Sequence, residues 1–260
     1  MSAPVFIVVS ARMASSRFAG KAALPLAGRP LLEVLLERMR HARDVDGVVL
    51  ATTKSAGDDR LAEIARRMGV FVFRGPEDDV LGRYVECARA FSAAHVVRVT
   101  GDNPLTDLET LELLVARQRE TAAEYTYVPG DALLMGILPE VIATQALERS
   151  WERGDASHRS ELVTLYIKEH PQEFRIETVA LPEGLLHPEL RLTVDEAEDG
   201  ALMQAVFERL QSPGKIVTTR EAIALLLREP GLARLNAHLR HKAANLRSVT
   251  LDAAILGAKR

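Results

Sequence analysis

Apolar residues fall into two kinds of run along the first 115 positions of this chain. Val5–Ser10 (VFIVVS), Gly47–Thr53 (GVVLATT), Val70–Phe73 and His95–Thr100 (HVVRVT) are short and almost wholly apolar, the pattern of strands buried on both faces. Between them, Leu31–His41, Asp58–Met68, Val80–Phe91 and a segment from Asp107 to about Glu120 carry apolar residues at helical spacing. Asp58 and Asp107 stand where helix N-caps are expected. Such alternation predicts a three-layer α/β domain, Rossmann-like, with a mostly parallel sheet covered by helices. Beyond about residue 120 the pattern loosens. Tyr125–Val128 and Phe174–Ala180 have strand character, Pro139–Trp151 and Ser157–His170 helical character, and together they suggest an inserted α+β accessory section over about 121–185. Arg191–Val194 returns to buried-strand character, followed by amphipathic helices at Glu196–Leu210 and Thr219–Glu229. The main domain then spans residues 1–230, and 231–260, rich in Arg, Ala and Leu, reads as a helical tail.

Composition narrows the class. The chain has 260 residues, 47% hydrophobic and 27% charged, which is ordinary for a soluble globular protein. A net charge of −3, with Lys and Arg dispersed, offers no electrostatic case for nucleic acid or an anionic membrane. No stretch approaches the roughly 20 apolar residues of a membrane span, and the start, MSAPVFIVVSA, lacks the basic n-region of a signal peptide. The single cysteine, Cys87, excludes an intrachain disulfide and suits a reducing compartment, so a cytoplasmic location is expected. Its helical neighbourhood marks it as a small core residue.

In an open parallel sheet, ligands bind beyond the carboxyl ends of the strands. After the first strand comes Ser10-Ala11-Arg12-Met13-Ala14-Ser15-Ser16-Arg17-Phe18-Ala19-Gly20-Lys21, a loop of small residues with three cations and three serines. Such a loop suits a triphosphate, since backbone N–H groups can approach its oxygens while Arg and Lys neutralise charge. It has neither the G-x-x-x-x-G-K-[ST] nor the G-x-G-x-x-G spacing. The fourth strand runs into Thr100-Gly101-Asp102-Asn103-Pro104, where a glycine and a proline set a carboxylate on a tight turn. Mg²⁺ favours one or two carboxylates plus substrate phosphate oxygens, which makes Asp102 a candidate metal ligand. Asp195, closing Arg191-Leu192-Thr193-Val194-Asp195, could supply the second carboxylate, while Asp199 suits a helix cap or solvated first turn. In a third segment, Asp79 is placed to cap a helix and Arg83 to face the crevice.

Taken together, these stretches resemble the cytidylyltransferases that make CMP-activated acidic sugars. Those include the 3-deoxy-manno-octulosonate and acylneuraminate enzymes and, above all, the branch typified by spore coat polysaccharide biosynthesis protein F. Ala11-Arg12, Ser15-Ser16-Arg17 and Gly20-Lys21 are similar to that family's triphosphate loop. Leu26-x-Gly28-x-Pro30, Ala51-Thr52-Thr53, Arg74-Gly75, Asp79-Val80-Leu81-x-Arg83-Tyr84, Arg98-x-Thr100-x-Asp102-x-Pro104 and Arg191-x-Thr193-x-Asp195 follow in order. The resemblance spans roughly residues 4 to 210.

The resemblance implies a nucleotidyltransferase domain, often homodimeric through its middle section, that uses CTP and Mg²⁺. Arg12, Lys21 and Asp102 would be catalytic, and Asp102 and Asp195 would bind the metal. The nucleotide would be held by Ala11, Arg12, Ser15, Ser16, Arg17, Lys21, Ala51, Thr52, Thr53, Arg74, Asp79, Arg83 and Asp102. Asn103, Arg159, Glu161 and Arg191 would meet the acceptor, a small acidic sugar. The middle section departs from the family pattern. Where Arg-Glu-His-Val-Thr is common, this chain has Ser160-Glu161-Leu162-Val163-Thr164, with His158 and Arg159 just upstream.

The reaction implied is in-line attack of an acceptor hydroxyl on the α-phosphorus of CTP, releasing pyrophosphate and yielding a CMP-activated acidic sugar, as a step in surface polysaccharide biosynthesis. Two other readings stay open at this point. One is a metal-dependent glycosyltransferase, although Asp102-Asn103-Pro104 lacks the Asp-x-Asp pair usual there. The other is a non-catalytic nucleotide-binding protein.

Overall fold

The computed structural model describes residues 3–14, 18–129 and 136–239. In chain order the strands are β1 (Val5–Ser10), β2 (Pro25–Leu26), β3 (Arg29–Pro30), β4 (Gly47–Thr53), β5 (Phe71–Gly75), β6 (His95–Thr100), β7 (Tyr125–Tyr127), β8 (Glu140–Ala143) and β9 (Ile176–Thr178). The helices are α1 (Leu31–Met39), α2 (Asp59–Arg67), α3 (Val80–Ala90), α4 (Leu108–Thr121), α5 (Thr144–Arg153), α6 (Leu165–Glu169), α7 (Ala197–Leu210), α8 (Thr219–Arg228) and α9 (Pro230–Ala233). Seven strands form one mostly parallel sheet in the order β5-β4-β1-β6-β8-β7-β9, and β2 and β3 make a separate hairpin. This is the expected three-layer α/β nucleotidyltransferase-like fold.

The central strands explain the layering. Val5, Ile7 and Val9 of β1 point into a core shared with α1, α2 and α4. Val8 points the other way, into a core built with α3, α5 and α6. A strand buried on both faces needs apolar residues at every position, which is why β1, β4 and β6 could be located to the residue. Cys87 of α3 lies in the second core, where burial pushes its thiol up to about 12 and removes it from chemistry. A third core joins α7 and α8 to Leu26, Leu105 and Leu192 beside the carboxyl edge of the sheet. Among the described residues, no helix is long and apolar enough to cross a membrane.

From β1 the chain first builds outward through β4 to β5, then crosses back to place β6 on the other side of β1. The strand order therefore reverses between β1 and β6, and a crevice opens beyond their carboxyl ends. There the two backbones nearly touch: Gly101 N–H donates to the Ser10 carbonyl at 2.8 Å. A Cβ on Gly101 would lie 2.5 Å from the Ala11 Cβ, so the position admits no side chain without a backbone shift.

Three expectations from the sequence are corrected. Pro139–Trp151 is not one helix: Glu140–Ala143 forms β8, antiparallel to β6 and β7, and α5 begins at Thr144. Val141 and Ile142 are fully buried in the sheet, and β-branched residues suit that position better than a helix turn. Ser157–His170 is likewise broken, into a short turn of helix at Ala156–Arg159 and α6. Arg191–Val194 forms no named strand: it is extended but spends its backbone bonds on the loop after β6, with Val194 N–H on the Asp102 carbonyl at 2.8 Å. Residues 121–129 and 136–185 continue the same sheet through β7, β8 and β9. Most of the expected helical tail lies outside the described residues, which reach only to 239.

Gly101→Ala should destabilise the fold by about 1–3 kcal/mol, the usual cost of overpacking. Urea titration of the variant against the parent measures it, and equal midpoints would mean that the β1 and β6 loops separate freely.

Candidate active site

The crevice is a cleft of about 480 Å³ at the reversal point, with β1 loop residues on one wall, Thr100 to Asn103 at its base and Ser160 to Val163 opposite. Its centre is an ion triad. The Lys21 ammonium donates to Asp102 Oδ2 at 2.7 Å and to Asp195 Oδ1 at 2.9 Å. Burial pulls the Lys21 pKa down, but attraction to Asp102 and then Asp195 outweighs it and holds the value above the ordinary lysine range. Two carboxylate oxygens, one from the turn after β6 and one from the segment leading into α7, therefore converge on one cation position.

That convergence is built from the backbone. Asp102 follows β6 through Gly101, and the Val194 N–H bond to the Asp102 carbonyl sets the Asp195 segment alongside. Behind the same segment lies Gly136, with φ of +97°, where a Cβ would sit 2.3 Å from Thr193 N. Arg38 of α1 reaches across to the Pro104 carbonyl at 3.0 Å, fixing the turn after Asp102. Burial pushes the Arg38 guanidinium down to about 10, and attraction to Asp107 opposes that fall. Asp107 itself caps α4, accepting from Thr110 N–H at 2.8 Å, as its position in the sequence suggested.

Asp195 rests on a buried pair. Arg191 Nε and Nη2 meet Asp199 Oδ1 and Oδ2 at 2.8 and 2.9 Å, and Nη2 also reaches Asp195 Oδ2 at 3.4 Å. Asp199 is completely buried and accepts from the backbone N–H groups of Asp195 and Glu196 at 3.0 and 3.1 Å. Asn236 closes the network, donating to Asp199 Oδ1 at 2.8 Å and to the Arg191 carbonyl at 3.0 Å. Burial raises the Asp199 pKa, but the bonds from Arg191, Asp195 and Asn236 prevail and keep it below the usual carboxylate range. Asp199 is thus a buried cap, one of the two roles its sequence position allowed, and Arg191 faces that acid pair rather than the cleft.

The remaining residues singled out by sequence divide into two groups. Ala11, Arg12, Lys21, Arg83, Asp102, Asn103, Glu161 and Asp195 line the cleft. Arg12 is about one-third exposed, with Glu77 no closer than 3.9 Å. Arg83 is buried and bonds to the Pro76 carbonyl at 2.6 Å and the Ser10 hydroxyl at 3.2 Å, and burial lowers its pKa. Among the described residues it forms no ion pair. Asn103 folds its amide back on the Thr100 hydroxyl at 2.7 Å. Ala51, Thr52, Thr53, Arg74, Asp79 and Arg159 stand outside the lining. Arg159 pairs with Asp79 at 2.8 Å, and Asp79 also caps α3 and accepts from the Trp151 indole N–H at 2.7 Å. Arg74 holds the Thr53 and Ser55 carbonyls at 2.8 and 2.6 Å. Ser15, Ser16 and Arg17 lie outside the described residues.

Two residues that bear on the cleft or its loop were not picked out as site residues from sequence. Arg98 lines the cleft and spans it, bonding Glu140 at 2.6 Å and the Glu161 carbonyl at 2.9 Å. Burial depresses its pKa, and Glu140 more than restores it. A charge in the middle of the otherwise apolar HVVRVT strand was the available signal, because a buried arginine demands a partner. Asp58 was expected to cap α2, but its side chain makes no cap bond and turns back toward the β1 loop.

Oxygen donors suit a hard cation. Among the described residues no three His, Cys, Asp or Glu side chains gather as a ready metal cage. The Asp102–Asp195 pair fits Mg²⁺ provided that substrate oxygens complete the shell, the manner in which this ion is usually bound.

Comparison with known proteins finds relatives over most of the chain. Residues 6–221 match the family model described as cytidylyltransferase. The spore coat polysaccharide biosynthesis protein SpsF of Bacillus subtilis (strain 168) is 33% identical over 241 residues, covering 88% of this chain and 96% of that protein. A cytidylyltransferase from Leptospira borgpetersenii serovar Hardjo-bovis superposes with a TM-score of 0.82 at 28% identity, over 89% of this chain and 97% of the other. A CMP:2-keto-3-deoxy-manno-octonic acid synthetase complexed with CTP shares the fold at a TM-score of 0.61 and 17% identity, over 79% and 99% of the two chains.

Removing one partner of a buried ion pair typically costs about 3–5 kcal/mol. Asp199→Ala should lose that much in a denaturant titration, and a loss below about 1 kcal/mol would mean that Arg191 finds another partner. The pH dependence has a definite sign. Asp199 is held below its unfolded value, so its contribution is complete above the ordinary aspartate pKa of about 3.9 and fades as pH falls through the lowered folded value. Stability of Asp199→Asn should therefore fall less steeply with acid than that of the parent, measured by denaturant midpoints from about pH 6 down to 3.

Proposed function

The chain belongs to the cytidylyltransferase family, and from that premise we propose that it transfers a cytidylyl group from CTP to a hydroxyl of a small acidic sugar, releasing pyrophosphate. The observation that carries this reading is the Lys21 ammonium held at 2.7 and 2.9 Å by Asp102 and Asp195, in the crevice where β1 and β6 diverge. Arg12 and Arg83 line the same cleft, and their charge suits the triphosphate. The acceptor oxygen forms a bond to the α-phosphorus while the bond from that phosphorus to the pyrophosphate oxygen breaks, and the acceptor's proton passes to solvent. Chemistry of this kind asks the protein for positioning and charge stabilisation more than for covalent participation.

In this reading Asp102 and Asp195 would hold Mg²⁺, which supplies charge neutralisation at the phosphates and lowers the pKa of the attacking hydroxyl. Lys21 and Arg12 offset the charge that develops on the departing pyrophosphate. Ser160 to Val163 also line the cleft, and in this reading they would meet the acceptor. Polysaccharide synthesis is the setting that the relationship to SpsF favours, and a cytoplasmic homodimer belongs to the same proposal.

A pyrophosphate-release assay with Mg²⁺, each of the four nucleoside triphosphates and a panel of acidic sugars tests this directly. Release is expected with CTP and one acceptor together, and activity with a different triphosphate alone would overturn the assignment. Asp102→Asn should reduce turnover at least about 10²-fold, the usual worth of one preorganised electrostatic contact. Its circular dichroism should match the parent, and near-parental turnover would remove Asp102 from the machinery.

A further inference from the structure

Asp58 is 2% exposed and lies outside the cleft lining, yet its carboxylate collects four hydrogen bonds. Oδ1 accepts from Met13 N–H at 2.7 Å across 45 residues of sequence. Oδ2 accepts from the hydroxyls of Thr52 and Thr53 at 2.9 and 2.5 Å and from Thr53 N–H at 3.1 Å. Burial of a carboxylate is costly unless strong donors repay it. Burial indeed pushes the Asp58 pKa upward, and the bonds from Met13, Thr53 and Thr52 reverse the shift.

What those bonds hold is the β1 loop. Met13 is gripped at both of its backbone polar groups, its N–H donating to Asp58 and its carbonyl accepting from Gly20 N–H at 3.0 Å. The second bond closes the neck of the loop and sits next to Lys21, while the first sits next to Arg12. Arg12 and Lys21 both line the cleft; residues 11–14, Arg12 among them, lie in no helix or strand, while Lys21 opens a short 3-10 turn just past the neck. Fastening the neck from behind is the one-sided support such a segment needs. Thr52 and Thr53, which line no part of the cleft, thereby acquire a purpose, and Arg74 steadies the same turn through the Thr53 and Ser55 carbonyls.

We propose that Asp58 is the positioning residue of the triphosphate-binding loop, fixing Met13 so that Arg12 and Lys21 meet the β- and γ-phosphates in register. This rests on the reading of the cleft as a nucleoside triphosphate site. Asp58 acts through the backbone and touches no substrate.

The experiment is steady-state kinetics and calorimetric CTP binding for the parent, Asp58→Ala, Asp58→Asn, Arg12→Ala and the Asp58→Ala/Arg12→Ala double variant. Asp58→Ala should weaken CTP binding and lower kcat/KM for CTP by about ten- to hundred-fold, the scale of a misplacement near 1 Å, with the acceptor KM unchanged. Asp58→Asn should fall between, since its Oδ1 can still accept from Met13 while its amide opposes Thr53 N–H. The double variant should lose less than the product of the single losses, the mark of two residues acting through one element. Losses that multiply, or a lowered Tm with parental CTP affinity, would make Asp58 a folding residue only. Should Asp58→Ala fail to fold, Asp58→Asn gives the same decision against Arg12→Ala. Failure of the parent itself to bind any triphosphate would defeat the functional reading, and the role of Asp58 with it, and is seen before any variant is made.

Discussion

Two carboxylates forced together need a cation between them, and the architecture of the carboxyl edge follows from that need. Asp102 and Asp195 reach Lys21 from positions 81 and 174 residues away in sequence. In a half-buried site their mutual repulsion is only weakly screened, so the pair is stable only while the cation and the supporting frame stay in place. The frame is correspondingly redundant. A backbone bond joins Val194 to Asp102, glycines at 101 and 136 allow the approach, and the Arg191–Asp199–Asn236 network braces Asp195 from behind.

The cations around the cleft serve two distinct ends. Arg191, Arg159 and Arg98 each meet a protein carboxylate, on Asp199, Asp79 and Glu140 respectively, and act as fasteners between elements. Arg12 and Arg83 face the cleft with their charge met mainly by carbonyls, a hydroxyl and a distant Glu77. A planar guanidinium does both jobs well, because its fork can bridge two backbones or present several donors to phosphate oxygens. Sequence position alone does not separate the two uses. The distinction depends on whether an acid lies within reach, and those acids come from elsewhere in the chain.

This marks the limit of what was legible in the sequence. β1, β4 and β6 were placed to the residue because strands buried on both faces leave a continuous apolar run. Asp102 and Asp195 stood out as acids at segment ends, and the structure brings them together. The segment 139–151 was misread because Glu140–Ala143 is too short to show period-two alternation and runs directly into α5. Arg191–Val194 has a strand's composition without a strand's pairing, since burial in the third core, rather than the sheet, requires its apolar residues. Asp58 and Asp107 have the same local signature of an acid before a helix. Only Asp107 caps its helix, because the Asp58 carboxylate is taken up by Thr52 and Thr53 just upstream and by Met13 N–H, 45 residues away.

The two walls of the cleft are held by different means, and this bears on how such a site varies. The wall formed by the β1 loop is tied mainly through main-chain groups, Gly101 to Ser10 and Gly20 to Met13, with the Asp58 side chain on the Met13 N–H. Bonds of that kind fix geometry while demanding little of the neighbouring side chains. The opposite wall hangs on side chains, chiefly Arg98 reaching the Glu161 carbonyl, with the Arg159–Asp79 pair behind it. Because Arg98 grips a carbonyl, the Glu161 side chain can change without loss of that anchor, whereas Val163 is held in the second core and the Ser160 hydroxyl in local hydrogen bonds. The stretch that departs from the related pattern thus combines a fixed backbone with one exposed side chain, at Glu161, that is free to vary while the β1 loop and the acid pair stay in place.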